Sequence, residues 1–330
     1  MRSKLKVTAA LAIMFFTGFA ILEIILRITD PVGVEYFSEV IRYFDRLEDR
    51  ENYSYIHPAG MNEIFQGVTI TTNSQGLRGP EFTISKPEGR KRLLILGDSV
   101  VLGWGVEYEN TFPSILQDHF DSLGTDIEVI PAGVSSWNTR TEYELLKNTA
   151  SGYDPDIIIL VIVGNDTDPK DNSNIEIGKE ELLSQVYKPN ADQDVFRKAW
   201  FSLVEISYLF RHMQFVVKVF TEKEHESGIY PDGPVWKDAE LALRKITDYC
   251  DSEEIEFVPF LYSDEGSSLS HPVFKLYREY FVKNNIKFHS LPDQLFEGYR
   301  LKNSIVDNHP NPEGHQIIAE QMIEAINKLY

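Results

Sequence analysis

A serine and a histidine that could act together as nucleophile and base lie far apart in this sequence. Ser99 follows an apolar run in "ILGDSVVLGWG" at 95–105, and His309 lies in "DNHPN" at 307–311, two residues after Asp307. A histidine can take the proton of a serine hydroxyl, and an aspartate beside it can hold the ring and stabilise its protonated form. Taken alone, Ser99 is better explained as a helix N-cap and His309 as a surface residue of a loop.

Two further residues supply hydrogen-bond donors that such a pair would need. Gly133 ends the apolar run "IEVIPAG", and Asn165 follows the run "PDIIILVIVG" in the tripeptide "GND". An unobstructed backbone N–H at Gly133 and the side-chain amide of Asn165, together with the N–H of Ser99, could stabilise a developing oxyanion. The complete set predicts acyl transfer through a serine ester.

Alternating strands and helices from residue 91 onward would bring these motifs together. Strands are predicted at 92–97, 127–133, 155–164, 255–262 and 286–291, and helices at 110–123, 138–150, 238–252, 271–285 and 312–330. This alternation predicts an α/β fold with a mostly parallel sheet covered by helices on both faces. Ligands bind beyond the carboxyl ends of the strands in such sheets, where Ser99, Gly133 and Asn165 are predicted to lie.

The four blocks, in this order, resemble the SGNH (GDSL-type) hydrolase superfamily over residues 90–330. "GDSVVLGWG", Gly133, "GND" and "DNHPN" correspond to its blocks, although the Asp-x-His spacing departs from the frequent Asp-x-x-His form. The resemblance implies a three-layer α/β/α, flavodoxin-like fold with a mostly parallel central sheet. The residue two positions after the serine is Val101, so the Gly-x-Ser-x-Gly elbow of ordinary α/β-hydrolases is absent.

The N-terminus has the pattern of a membrane segment. Three basic residues precede an apolar stretch at 7–26 that only Glu23 interrupts, and its length as a helix matches the bilayer core. The basic flank predicts a cytoplasmic N-terminus, so that a single-pass anchor would hold the catalytic domain on the periplasmic side or cell surface. The alternative is a signal peptide cleaved after residues 18–20, which would give a secreted protein.

The chain therefore divides into a membrane segment at 1–30, an N-terminal extension or spacer at 31–90, and a hydrolase domain at 91–330. A break in the alternation at about 167–235 indicates an insertion. Its aromatic-rich stretch at 195–220 predicts one or two amphipathic helices, which would form either a lid or a helix with its apolar stripe on the core.

Composition excludes several kinds of partner. The net charge is −19, with 51 acidic and 32 basic residues, which argues against nucleic-acid binding. The single cysteine, Cys250, excludes an intramolecular disulfide and a cysteine zinc cluster. None of the eight histidines lies in a His-Glu-x-x-His motif, and we expect neither a cofactor nor a metal.

We expect a serine esterase that removes acyl groups, in particular acetyl groups, from an extracytoplasmic glycan or a small ester. This substrate class rests on the resemblance, because some related bacterial domains act on acetylated extracellular polysaccharides. Three alternatives remain open: an O-acyltransferase of a cell-envelope polysaccharide, a phospholipase at the membrane surface, and an inactive carbohydrate-binding module. A groove flanked by Trp104 and Trp137 would indicate a sugar.

Overall fold

The computed structural model describes residues 2–50, 55–166, 200, 202–204, 206–221, 233–262 and 272–328. The helices are α1 (Arg2–Thr29), α2 (Glu35–Phe44), α3 (Ser99–Leu102), α4 (Phe112–Ser122), α5 (Thr139–Asn148), α6 (Tyr208–Thr221), α7 (Pro234–Ser252), α8 (Pro272–Lys283) and α9 (Pro312–Asn327). The strands are β1 (Glu48–Asp49), β2 (Tyr55–Ile56), β3 (Asn62–Phe65), β4 (Val68–Thr71), β5 (Lys91–Gly97), β6 (Ile127–Gly133), β7 (Ile157–Ile162), β8 (Glu256–Leu261) and β9 (His289–Ser290).

The central sheet has five parallel strands in the order β6-β5-β7-β8-β9. This is the flavodoxin-like order, in which the connections reverse direction between β5 and β7 and leave a crevice at their carboxyl ends. Gly97 pairs with Gly133 in the register of β5 and β6, so the ends of these two strands are level. The last predicted strand is shorter than expected, because only His289 and Ser290 pair with β8.

Alternate side chains of the sheet enter two separate apolar layers, as the period of a strand requires. Leu94 and Leu96 of β5 belong to the layer that includes α5, α7 and α8. Leu93 and Ile95 belong to the layer that includes α4 and α9. The predicted three-layer α/β/α architecture is therefore confirmed.

Residues 31–90 are an integral part of this domain. Instead of a spacer, they form α2 and two antiparallel pairs, β1–β2 and β3–β4. Their buried side chains, including Tyr43 and Phe65, share the apolar layer with β5. These contacts bring the extension over the carboxyl edge of the sheet.

A buried arginine ties the extension to the loop that follows α3. The Arg78 guanidinium donates to the carbonyl oxygens of Leu102 and Gly103 at 2.9 Å and to that of Val106 at 2.8 Å. Burial lowers the pKa of Arg78 to about 10, against the smaller opposing effect of Glu107. The sequence analysis assigned no role to this residue, because a single arginine in a turn-rich segment carries no signal.

The structure describes only part of the insertion predicted at about 167–235. α6 covers the second half of the predicted amphipathic stretch, whereas 167–199 and 222–232 lie outside the described residues. The contacts of α6 include α1 and the start of α2, and its exposed apolar residues do not join either core layer. α1 contains a segment, Lys6–Thr29, long and apolar enough to span a membrane.

Glu142 on α5 is a buried acid whose ionisation opposes folding. Neither of its carboxyl oxygens has a hydrogen-bond partner among the described residues. Burial, followed by the charges of Asp166 and Asp98, raises the pKa of Glu142 well above its usual value. The folded state therefore holds this group protonated where the unfolded chain has already ionised it.

We expect Glu142→Gln to stabilise the protein at neutral pH. In the wild-type protein, holding Glu142 protonated lowers the free energy of unfolding. This loss is absent below the pKa of the unfolded chain, near 4.5. It grows by up to about 1.4 kcal/mol per pH unit as the pH rises toward the pKa of the folded state. Melting temperatures of both proteins between pH 4 and pH 8 measure this, with Glu144→Gln on the same helix as control. A difference independent of pH would contradict the argument.

Candidate active site

The nucleophile candidate lies on a tight turn between β5 and α3. Asp98 is the N-cap, its Oδ1 accepting the N–H of Val100 at 2.9 Å, so Ser99 is the first helical residue and not the cap. Gly97 is required by packing, because a Cβ there would come 2.3 Å from Cγ2 of Val101. This turn places the Ser99 hydroxyl at the carboxyl edge of the sheet.

The fold brings Ser99 and His309 into direct contact. Nε2 of His309 lies 2.7 Å from Oγ of Ser99, and Nδ1 of the same ring lies 2.5 Å from Oδ1 of Asp307. Asp307 is fully buried and Ser99 is 6% exposed. The serine, histidine and aspartate thus form a continuous hydrogen-bonded chain, the arrangement needed for a base-activated nucleophile.

The Asp307 carboxylate is surrounded by donors. Besides the ring, Oδ1 accepts the backbone N–H of His309 at 3.1 Å. Oδ2 accepts from the side-chain amides of Gln66 and Asn303, each at 3.1 Å. Asn303 also donates to the carbonyl oxygen of Trp104 at 2.8 Å. These contacts fix the carboxylate in the orientation in which it faces the imidazole.

Gln66 is a contribution of the N-terminal extension to the site. It lies in the turn between β3 and β4 with φ of 50°, and its backbone N–H donates to Glu39 at 2.8 Å. Its Oε1 accepts the indole N–H of Trp104 at 3.0 Å, which directs its amide toward Asp307. Sequence analysis missed Gln66, because nothing in the sequence places residue 66 beside residue 307.

Replacing Gln66 by methionine should slow catalysis without unfolding the protein. The variant keeps the bulk but removes a hydrogen bond to a charged group, an interaction worth about 1.5–3 kcal/mol, so kcat should fall roughly ten- to hundredfold. KM should stay close to the wild-type value, because Gln66 acts through Asp307. Steady-state kinetics and a melting curve measure this, with Gln75→Met as the control. An unchanged kcat in a folded Gln66→Met protein would show that Gln66 does not position Asp307.

The two predicted oxyanion donors lie at the carboxyl ends of β6 and β7, the strands on either side of β5. A Cβ on Gly133 would lie 2.5 Å from the backbone nitrogen of Leu102 and 2.8 Å from the carbonyl oxygen of Asp98, so this position packs directly on α3. Asn165 follows β7, and its side chain lies near enough to the Asp98 carboxylate to help lower the pKa of that group against the larger effect of burial. Both residues therefore adjoin the nucleophile turn, and their role toward an oxyanion stays a prediction.

The surroundings of His309 favour its protonated form. Burial lowers the pKa of the imidazole, but the charge and hydrogen bond of Asp307 and the charge of Asp98 outweigh burial and raise it above 6.5. A base must be neutral to accept the proton of Ser99. We therefore expect kcat/KM to rise with pH through an apparent pKa above 6.5. A profile with its midpoint below 6.5 would contradict this.

Two tyrosines that sequence analysis did not identify border the site. The ring of Tyr36 on α2 lies 6.0 Å from the ring of His309. Tyr262 directly follows β8, and burial, with the charges of Asp98 and Asp307, raises the pKa of both phenols. Tyr36 therefore lies beside the imidazole, and Tyr262 lies within range of the charges of Asp98 and Asp307.

Other candidates have structural roles. Trp104 and Trp137 are buried, 1% and 0% exposed, so neither flanks a groove as a sugar platform would. His315 accepts the backbone N–H of Phe112 at 3.2 Å and stacks on its ring, and burial lowers its pKa to about 3. Among the described residues, no group of three or more His, Cys, Asp or Glu could hold a metal ion.

Comparison with known proteins gives the same family as the sequence motifs. Residues 95–317, which include Ser99, Gly133, Asn165, Asp307 and His309, match the GDSL-like lipase/acylhydrolase family, and the chain belongs to this family. An arylesterase of Vibrio mimicus is 29% identical over 79 residues, which cover 24% of this chain and 40% of that relative. The chain thus spans about two fifths of this curated relative.

Several solved structures are similar at low identity. TesA is 12% identical with a TM-score of 0.47, over 73% of this chain and 100% of that one. The psychrotrophic esterase EstA from Pseudoalteromonas sp. is 15% identical with a TM-score of 0.45, over 72% and 98%. The acetyl xylan esterase AlAXEase is 13% identical with a TM-score of 0.43, over 71% and 99%.

Proposed function

We propose that this protein hydrolyses esters through an acyl-enzyme formed on Ser99. The main support is a pair of hydrogen bonds, one between Ser99 Oγ and His309 Nε2 and one between His309 Nδ1 and Asp307. The hydroxyl oxygen attacks the ester carbonyl carbon while its proton moves to Nε2. The C–O bond to the alcohol then breaks and the alcohol takes that proton. Water, deprotonated by His309, releases the acid and restores Ser99.

The negative charge of the tetrahedral intermediate would be held by three N–H donors. These are the backbone N–H groups of Ser99 and Gly133 and the side-chain amide of Asn165. The side-chain amide of Asn165 carries two N–H donors, and Asn165 follows β7 at the carboxyl edge of the sheet. Such a donor typically contributes about 3 kcal/mol to the stability of the transition state.

We propose a small acyl group, in particular acetyl, on an extracytoplasmic glycan or a small ester. Support comes from the low exposure of Ser99 and from the ring of Tyr36, which lies 6.0 Å from the ring of His309. A series of p-nitrophenyl esters from acetyl to lauroyl tests this. We expect kcat/KM to be highest for acetyl and to fall with length, and a preference for long chains would contradict the proposal.

The same residues could pass the acyl group to a sugar hydroxyl in place of water. Product analysis with an acetyl donor and a glycan acceptor distinguishes the two reactions. Free acetate as the main product supports the hydrolase. Acetylated glycan as the main product would instead establish an O-acyltransferase.

We also propose that α1 anchors the protein uncleaved, with the catalytic domain on the extracytoplasmic side. Lys6–Thr29 has a mean hydropathy of 2.3 and none of it is buried by the rest of the protein. Basic residues at its N-terminal end support a cytoplasmic N-terminus. Retention in the membrane after alkaline carbonate washing, with an intact N-terminus by mass spectrometry, would support this; a mature chain that begins after residue 20 would contradict it.

One observation favours a second substrate class, an ester presented by the membrane itself. The segment that directly follows α1 contacts the loop that carries Asp307 and His309. The N–H of Val306 in this loop donates to the carbonyl oxygen of Val32 at 3.1 Å. Gly33 lies so close to Ser304 that a Cβ would be 2.1 Å from Oγ. If α1 spans the membrane, these contacts would hold the active site near the membrane surface. A preference for the long p-nitrophenyl esters of the same series would support this phospholipase alternative.

A further inference from the structure

The acidic residue of α1 has its partners in another helix. Glu23 is the only acidic residue of Lys6–Thr29. Its carboxylate accepts the hydroxyl of Ser207 at 2.7 Å and the backbone N–H groups of Tyr208 and Leu209 at 3.0 Å. A carboxylate inside a membrane costs several kcal/mol unless it is paired. The partners of Glu23 therefore decide whether this residue can lie there.

Glu23 does for α6 what an N-cap residue usually does from within the same chain segment. The first N–H groups of a helix have no intrahelical acceptor, and the positive end of the helix dipole favours a negative charge there. Glu23 supplies the charge and the acceptor oxygens for the N–H groups of Tyr208 and Leu209, while Oγ of Ser207 accepts the N–H of Phe210 at 3.4 Å. The start of α6 is therefore fixed beside α1 by a polar contact.

Three further contacts join α1 to α6 and the residues just before it. Arg27 donates to the carbonyl oxygen of Ile206 at 2.5 Å, and its guanidinium lies 5.2 Å from the ring centre of Tyr208. The rings of Phe19 and Phe210 are 6.0 Å apart. The junction thus extends over two turns of α1, from Phe19 to Arg27.

The position of this junction along α1 sets its depth. From Glu23 to Thr29, where α1 ends, is about 9 Å along the helix axis. If Lys6–Thr29 spans a hydrocarbon layer of about 30 Å, then Glu23 lies within it and not at its edge. The first turn of α6, which is level with Glu23, lies at that depth as well.

The exposed face of α6 is apolar. Met213, Val216 and Val217 follow the i, i+3, i+4 spacing of one helix face and are 44%, 49% and 50% exposed. A helix that borders water presents polar residues on that side. α1 also exposes apolar side chains, among them Ile24 and Ile25, which are 56% and 49% exposed.

Polar side chains of α6 instead contact the start of the catalytic domain. Nε2 of His212 lies 3.5 Å from Oδ1 of Asp30, and Arg211 donates to Ser38 at 3.1 Å. Polar side chains of α6 are therefore directed to the domain, whereas Met213, Val216 and Val217 are exposed. This division is typical of helices that lie in a membrane interface.

We propose that α6 lies in the membrane leaflet nearest the catalytic domain, beside α1, with Met213, Val216 and Val217 against the lipid acyl chains. The inference rests on the proposed anchoring by α1. Glu23 caps the start of α6 and so joins the two helices, and its charge is also paired with Arg27 of α1 at 2.7 Å. The domain is then held by two elements, which fixes the orientation of its active site toward the membrane surface.

Cysteine variants of the full chain in phosphatidylcholine vesicles test this placement. Met213→Cys and Val217→Cys would carry a bimane label, while Cys250 is buried with a pKa raised to about 12 by that burial and serves as an unreactive background. Quenching by doxyl groups on the acyl chains is compared with quenching by iodide in the buffer. We expect a lipid-to-iodide ratio severalfold higher at both positions than at Leu123→Cys, an exposed apolar position on the catalytic domain.

A label at Ile25→Cys on α1 separates the two ways in which the proposal could fail. Lipid quenching at 25 together with iodide quenching at 213 and 217 would keep the anchor and overturn the placement of α6. Iodide quenching at all three positions would overturn the anchor as well. Protection of 213 and 217 from both quenchers would show that protein covers the stripe, which also overturns the proposal.

Glu23→Leu tests the cap directly. This variant makes α1 more apolar but removes the acceptor of the α6 N-terminus, whereas Glu23→Gln retains one acceptor oxygen. We expect Glu23→Leu to shift the label at 213 toward iodide quenching while the label at 25 stays in lipid, and Glu23→Gln to shift it less. An unchanged ratio at 213 in Glu23→Leu would overturn the role of Glu23.

Discussion

Replacing Ser99 by alanine is expected to abolish ester hydrolysis, with a loss of roughly 10⁶-fold in kcat, the scale seen when the serine of such a triad is removed. The change removes only the oxygen that lies 2.7 Å from His309 Nε2. No other group among the described residues is placed to replace it as a nucleophile on that imidazole. Hydrolysis of p-nitrophenyl acetate by the purified full chain measures the effect.

The fold should survive this substitution. The N-cap of α3 is Asp98, whose Oδ1 bonds the backbone N–H of Val100, so the turn keeps its main stabilising contact without the Ser99 hydroxyl. Ser114→Ala, at a buried serine of α4, is the matched control and should leave activity near the wild-type value. Wild-type turnover by a folded Ser99→Ala protein would remove Ser99 as the nucleophile.

Replacing Asp307 by asparagine should have the second largest effect, a loss of roughly 10⁴-fold in kcat, as in other triads of this type. Each of the four contacts of the carboxylate is to an N–H group: two from His309, one from Gln66 and one from Asn303. An asparagine keeps one acceptor oxygen and turns its NH₂ group toward donors. The imidazole then loses either its orientation or its correct tautomer.

The pH profile shows whether Asp307 acts through His309. The charge and hydrogen bond of Asp307 raise the pKa of His309 against the effect of burial, so their loss should move the midpoint of the kcat/KM profile to lower pH. Damage elsewhere in the fold would lower activity without moving this midpoint. A residual activity with the wild-type midpoint would therefore contradict the assignment.

The candidate site residues at the strand ends could be predicted, because each lies within a few residues of a recognisable apolar strand. Gly97 ends an apolar run, and the next two residues in the chain are the cap and the candidate nucleophile, so a sequence pattern and a position in the fold coincide. Gly133 and Asn165 follow their strands in the same way. A parallel sheet then brings such positions to one edge, whatever their separation along the chain.

The support around Asp307 was not predictable for the opposite reason. Gln66 and Asn303 reach the carboxylate from a hairpin turn and a loop, and neither residue type is unusual in such places. Their roles depend on how residues 31–90 pack over the sheet, and no periodicity encodes that packing. The sequence therefore predicted the reacting groups better than the groups that orient them.

Glu23 illustrates the same limit in the membrane segment. In the sequence it only interrupts an apolar stretch, and its meaning depends on Ser207 and the start of α6, far along the chain. The amphipathic helix that contains α6 was predicted from the sequence, but the face that α6 exposes was not. The proposed placement of α6 depends on the contact between Glu23 and the start of α6, because the amphipathic pattern alone fits a core, a lid or a membrane equally well.

Labelling with a fluorophosphonate tests the central claim most directly, because the reagent forms a bond to a serine oxygen only where a base activates it. We expect one adduct per chain, located at Ser99 by peptide mass spectrometry, with loss of esterase activity in proportion to labelling. Labelling should disappear in Ser99→Ala and become much slower in Asp307→Asn. An active preparation that loses its activity with the adduct at another residue, or that stays active with Ser99 modified, would contradict the account.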